Sequence, residues 1–169
     1  MPHPLVLALF DDAASAARAA RSLRELGLSR ERVSIVARSH DEEGMVAQAS
    51  DASPGSEIED SARASRLGEL GAHVLAAMAL VMPGIGPIVA DGPLAAGLGE
   101  AAGHLAGGLT KTLTRAGLTD ADAAAWASRI GQGEFLLGAH TDTGSAEVIR
   151  ESMERNGATR VALGTWADE

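Results

Sequence analysis

The chain has no cysteine and no tyrosine, and only two phenylalanines and two tryptophans among its 169 residues. Without cysteine there can be no disulfide, no thiolate metal ligand and no cysteine nucleophile, and the redox compartment leaves no trace in the sequence. The shortage of aromatics removes the stacking platform on which single-stranded nucleic acid is held. Positive charge is scarce too: Lys111 is the only lysine, and 14 basic residues stand against 23 acidic ones, for a net charge of -9. A chain of that balance offers no basic surface to neutralise a phosphate backbone, so nucleic acid is not an expected partner.

The shortage of bases is sharpest between residues 39 and 60. Asp41, Glu42, Glu43, Asp51, Glu57, Glu59 and Asp60 occur there with no Lys or Arg among them, and the stretch reads as a solvated acidic linker. Further on, residues 70–90 carry no Asp, Glu, Lys or Arg at all, which is a first signal for a membrane span. Pro83, Gly84, Gly86 and Pro87 interrupt that run, leaving its uninterrupted part well short of the ~20 residues a spanning helix needs. Glu100 follows inside the next apolar segment, and a carboxylate at membrane depth is costly. The start, "MPHPLVLALFDD", has no basic n-region and reaches Asp11 and Asp12 before an apolar core of signal-peptide length can form. A cytoplasmic protein is the expectation, with peripheral membrane association through the apolar segment as an alternative.

What is present is organised as a repeat. "LVLALF" (5–10) is a strand-length apolar run, Asp11 or Asp12 can cap a helix whose inner face includes Ala16, Ala20 and Leu23, Gly27 stops it, and "VSIVA" (33–37) is a second strand. At an offset of 130 the pattern recurs: "FLLGAH" (135–140), Asp142, Ala146 and Met153, Gly157, then "VALGT" (161–165). The expected fold is therefore α+β, with duplicated β-α-β halves (1–38, and a helix plus second half over 117–169) forming a ferredoxin-like four-stranded antiparallel sheet. The first strand is apolar at successive positions, so both sheet faces should be covered, either by the central segment or by another subunit.

That central segment, 61–116, is expected to be an inserted Gly/Ala-rich antiparallel helical hairpin. One helix would run from about Ser61 to Met82 and another from about Asp91 to Ala116, with "VMPGIGPIVADGP" (81–93) as the turn. A shorter helix, "TDADAAAWASRI" (119–130), follows, with Thr119 as N-cap and Ala123, Trp126 and Ile130 facing inward. Gly99, Gly103 and Gly107 recur every four residues, as do Gly68, Ala72 and Ala76, so each hairpin helix presents a smooth ridge suited to close packing. Glycine weakens isolated helices, and such a hairpin should depend on tight packing, which makes a homo-oligomer the expected state.

Candidate chemistry lies on the same hairpin. Glu69 and His73 are four apart, as are Glu100 and His104, so each pair shares a helix face. A hairpin folded between residues 86 and 87 would set Glu69 opposite His104 and His73 opposite Glu100. Carboxylates and imidazoles converging between antiparallel helices can hold a divalent transition metal (iron, manganese or zinc). The spacing of four departs from the Glu-x-x-His spacing of di-iron bundles, and the competing reading is two hydrogen-bonded Glu–His pairs. No other cofactor is implied: "GLGEAAG" (97–103) has a nucleotide-loop look but no strand precedes it, and no catalytic motif or residue set stands out. His3, His40 and His140 read as terminal, linker and strand-end residues.

Three stretches together, "LALFDDAASAARAARSLRELGL", "MPGIGPIVADGPLAAGLGEAAGHLAGGL" and "AGLTDADAAAWASRIGQGEFLLGAHTD", resemble the bacterial general stress protein 17M-like family, also described as heat-induced or low-temperature-induced stress proteins. The likeness covers nearly the whole chain outside the acidic linker. It implies a stress-associated protein with no established reaction, and it supplies no catalytic residues. The family's second hairpin helix is mostly alanine and glycine, whereas Glu100 and His104 stand here. The sequence thus points to a non-enzymatic stress-response protein acting through self-association of the hairpin, with metal binding as the alternative.

Overall fold

A computed structural model of the chain describes residues 1–38, 78–82, 86–102 and 108–167. Its strands are β1 (Pro2–Phe10), β2 (Val33–Arg38), β3 (Met78–Met82), β4 (Gly86–Asp91), β5 (Phe135–His140) and β6 (Arg160–Ala167). Its α-helices are α1 (Ala13–Glu25), α2 (Pro93–Ala102), α3 (Gly108–Arg115), α4 (Asp120–Gly131) and α5 (Ala146–Arg155). The strands form one sheet in the order β3-β4-β2-β5-β1-β6, antiparallel at every pairing.

The unbroken apolar run of β1 has a direct structural cause, because Leu5 through Phe10 are all fully buried. Successive strand residues point to opposite faces. Leu5, Leu7 and Leu9 enter a core with Leu94 and Leu98 of α2, Leu109 and Leu113 of α3 and Trp126 and Ile130 of α4. Val6, Ala8 and Phe10 enter a second core with α1 and with Ile149 and Met153 of α5. Of the two candidates for covering the second face, the helices from Pro93 onward do so.

The helix ends are set by the residues read as caps. Asp12 accepts the Ser15 N–H at 2.7 Å and the Ser15 hydroxyl at 3.0 Å; the Ser15 backbone bond is the main cause holding its carboxyl below the usual aspartate value. Asp142 accepts the Ser145 N–H at 2.9 Å and its hydroxyl at 3.2 Å. Gly27 and Gly157 adopt φ of 92° and 95°. The chain then closes with Leu28 N–H on Leu23 O at 3.0 Å and Ala158 N–H on Met153 O at 3.2 Å, the long-range bond of a Schellman end. These caps keep the offset of 130, but the strands after them do not. Val33 pairs with Ala139 and Arg160 with Leu9, so the second strands correspond at 127. The extra three residues are a 3-10 turn, Arg30–Arg32. In α4, Thr119 accepts the Asp122 N–H at 3.1 Å, and Ala123, Trp126 and Ile130 are buried as expected.

The central segment corrects the expected helical hairpin. Residues 78–82 and 86–91 are the antiparallel strands β3 and β4, which extend the sheet beyond four strands. Short apolar runs rich in Val and Ile, fenced by Pro and Gly, favour strand over helix, because they are too brief to build helical turns. Met82 pairs with Gly86 and Met78 with Ala90, so the chain doubles back about residue 84. The expected second helix is described as α2 and α3, with residues 103–107 outside the described set. Pro93 sits at its first position, where a missing N–H is harmless.

Candidate functional site

The polar groups that the sheet brings together lie between it and the start of α2. In β2, Val33 and Ile35 join the core with α1, while Ser34 faces the other way. In β5 the same alternation sends His140 to the Ser34 side, and in β1 His3, two residues before Leu5, shares its face. The result is a chain of short bonds. His3 Nε2 is 2.9 Å from His140 Nδ1, His140 Nε2 is 2.9 Å from Ser34 Oγ, and the Leu94 N–H donates to Ser34 Oγ at 3.0 Å. Each bond needs one proton. With Leu94 already donating to Ser34, the hydroxyl can donate to His140 Nε2 while His140 Nδ1–H donates to His3; the reverse tautomers satisfy the same geometry.

Aromatic packing closes the chain on its remaining side. The Trp166 ring meets His140 edge-on, 6.1 Å between centroids at 79°, and the Arg115 guanidinium lies 5.2 Å from the centre of the Trp166 ring. A glycine makes room for the indole: a Cβ at Gly97 of α2 would stand 2.9 Å from Trp166 Cη2.

A serine bonded to a histidine that is bonded to a third group has the order of a nucleophile, base and orienting partner. Burial decides against that use. Ser34 has no exposure and His140 only 2%, and the α2 amide caps the hydroxyl, so no substrate carbonyl can reach Oγ. The arrangement instead joins β1, β2, β5 and the first turn of α2, satisfying polar groups that would be costly if left unpaired. His3 and His140, read from sequence as terminal and strand-end residues, are therefore members of one network, and Ser34 was not singled out. The available signal was a polar residue interrupting each of two apolar strands, "VSIVA" and "FLLGAH".

A partly buried carboxylate lies just before the other end of β5. Glu134 Oε1 accepts from Arg129 at 3.0 Å, while Oε2 is buried with no hydrogen-bond partner among the described residues. Burial raises its pKa, Arg129 opposes the rise, and the neighbouring Asp11 carboxyl adds to it.

Of the residues read as a metal set, Glu69, His73 and His104 lie outside the described residues, and Glu100 belongs to α2. The helical turn between residues 86 and 87 that would bring them together is replaced by strands β3 and β4, with Met82 paired to Gly86. Among the described residues no group of three or more His, Asp or Glu side chains is placed to hold a metal ion. Of the expected packing ridges, Gly99 falls on α2, while Gly68, Ala72, Ala76, Gly103 and Gly107 lie outside the described residues. No helix among the described residues is long and apolar enough to cross a membrane. The chain matches no family model, no curated protein and no solved structure.

Proposed function

We propose that this chain is a non-enzymatic stress-response protein that acts by self-association, built on a ferredoxin-like scaffold of two β-α-β halves. The order β6-β1-β5-β2, with α1 and α5 packed on one face, supports the scaffold, as do the matched caps at Asp12 and Asp142. The stress-response assignment rests on the resemblance of the three quoted stretches.

Self-association is carried by one observation, the position of β3 at the sheet edge. Its sequence, MALVM, has no charge, and among the described residues it pairs with β4 alone. Edge strands are ordinarily blunted by lysine, proline or a bulge, because their unpaired N–H and C=O groups recruit another strand. Neither lysine nor proline occurs within β3. A second copy laid antiparallel against it would continue the sheet across a two-fold axis. In this reading self-association uses the central segment, as the sequence suggested, but through a strand edge in place of a helical ridge. Light scattering on the full chain tests the proposal, with a dimer or larger species as the expected result.

A further inference from the structure

The matched ends of α1 and α5 close differently. Gly157, after α5, packs against the first turn of α1: a Cβ there would lie 3.6 Å from Ser15 Oγ. Gly27, its counterpart after α1, has nothing within 4 Å of the same position. Ser145, the counterpart of Ser15, lines a cleft of about 440 Å³. This open end is where the 3-10 turn Arg30–Arg32 lengthens the route into β2, and Arg32 forms part of the cleft wall.

The lining is unlike a chance surface dent. Thr141 is only 2% exposed and its N–H is used by Pro4 O at 3.0 Å, yet its hydroxyl has no partner among the described residues. Strand alternation beyond β5 places its side chain on the cleft side, with Leu137 and Ala139. Arg32 is exposed and has no ion-pair partner among the described residues. Asp142 takes the Ser145 N–H and Ser145 adds no side-chain cap of its own, so the amides of the first turn of α5 are left to the space that Ser145 and Val148 line. Leu26 and Val148, about half-exposed and among the few large apolar side chains left on the surface among the described residues, line the cleft as well.

Charge decides the ligand class. One guanidinium, a helix N-terminus and a hydroxyl call for an anion. Asp142 also borders the cleft, with both carboxylate oxygens engaged by Ser145, and its charge disfavours a dianion such as phosphate. The apolar wall requires a ligand with a hydrocarbon body. We infer that the cleft binds a small organic monocarboxylate with a short apolar body, its carboxylate held by Arg32 and the first amides of α5, its body against Leu26 and Val148.

Amide NMR spectra of the full chain, titrated separately with hexanoate, hexylamine and inorganic phosphate, test this. Hexanoate should shift the amides of Thr141 and of residues 146–148 saturably, and the other two probes should leave them in place. Arg32→Ala, at an exposed position, should keep the parent's thermal unfolding and weaken hexanoate binding about tenfold or more, the scale of a charge-assisted hydrogen bond; Arg32→Lys should recover part of the loss. The inference is overturned if hexanoate leaves those amides unmoved, if phosphate or hexylamine moves them equally, or if Arg32→Ala titrates like the parent.

Discussion

Ser34→Ala deletes one oxygen and strands two buried partners at once. The Leu94 N–H and His140 Nε2 both bond Ser34 Oγ, and Ser34 itself has no exposure, so water cannot replace the hydroxyl without opening the interface between α2 and the sheet. An unsatisfied buried polar group costs about 1–3 kcal/mol, which puts the expected loss for two of them at about 2–6 kcal/mol. Against a native stability of roughly 5–15 kcal/mol this is a large fraction. It corresponds to a drop of roughly 4–24 °C in melting temperature for a chain of this size. Urea unfolding at neutral pH should show the loss as a lower midpoint with unchanged slope. Pairing the change with His140→Leu sharpens the test: once the imidazole is gone its orphaned nitrogen no longer counts, so the double variant should lose less than the two single losses combined. A Ser34→Ala loss below about 0.5 kcal/mol, or strict additivity in the pair, would refute the network.

Two further expectations concern close packing and a partly buried carboxyl. Gly164→Ala would place a Cβ 1.9 Å from Ala116 O, the carbonyl that accepts the Thr165 N–H. Backbone must move on both sides, and calorimetry should report a loss of about 1–3 kcal/mol or more. Glu134→Gln should raise the melting temperature at pH 7. Because the folded-state pKa of Glu134 is raised above the ordinary 4.5, chiefly by burial, its contribution is most favourable below that value and declines as pH rises through the folded pKa. The gain from glutamine should therefore shrink as pH falls toward 4.5; a glutamine variant less stable than the parent at pH 7 would contradict this sign.

The caps and stops of α1 and α5 were legible because their signals are local. A strand-length apolar run, an aspartate cap and a glycine stop each act over a few residues, and Asp12, Gly27, Asp142 and Gly157 all fall where they were read. The uninterrupted apolarity of β1 likewise announced its two covered faces. Residues 78–82 and 86–91 were misread because short apolar runs have no decisive period, and the regular spacing of small residues around them suggested helix packing. The pairing of β3 with β4 depends instead on a register, Met82 against Gly86 and Met78 against Ala90, that no local period announces. The buried polar chain was illegible for a different reason. His3 and His140 are 137 residues apart, and they meet only when the β1–β5 register sets Leu5 against His140. Ser34 joins them through a further register, Val33 against Ala139.

The edge of β3 remains the test of what the molecule does. Consecutive residues of an edge strand direct their N–H groups alternately into and out of the sheet, so of Ala79→Pro and Leu80→Pro one removes an outward amide and spares the pairing with β4. Light scattering of the parent chain and both variants, with thermal unfolding run in parallel, measures mass and folding together. The account predicts a parent of dimeric or larger mass and one proline variant that is monomeric while melting close to the parent. A parent that is monomeric at every concentration, or two folded variants that keep the parent's oligomeric mass, would contradict it.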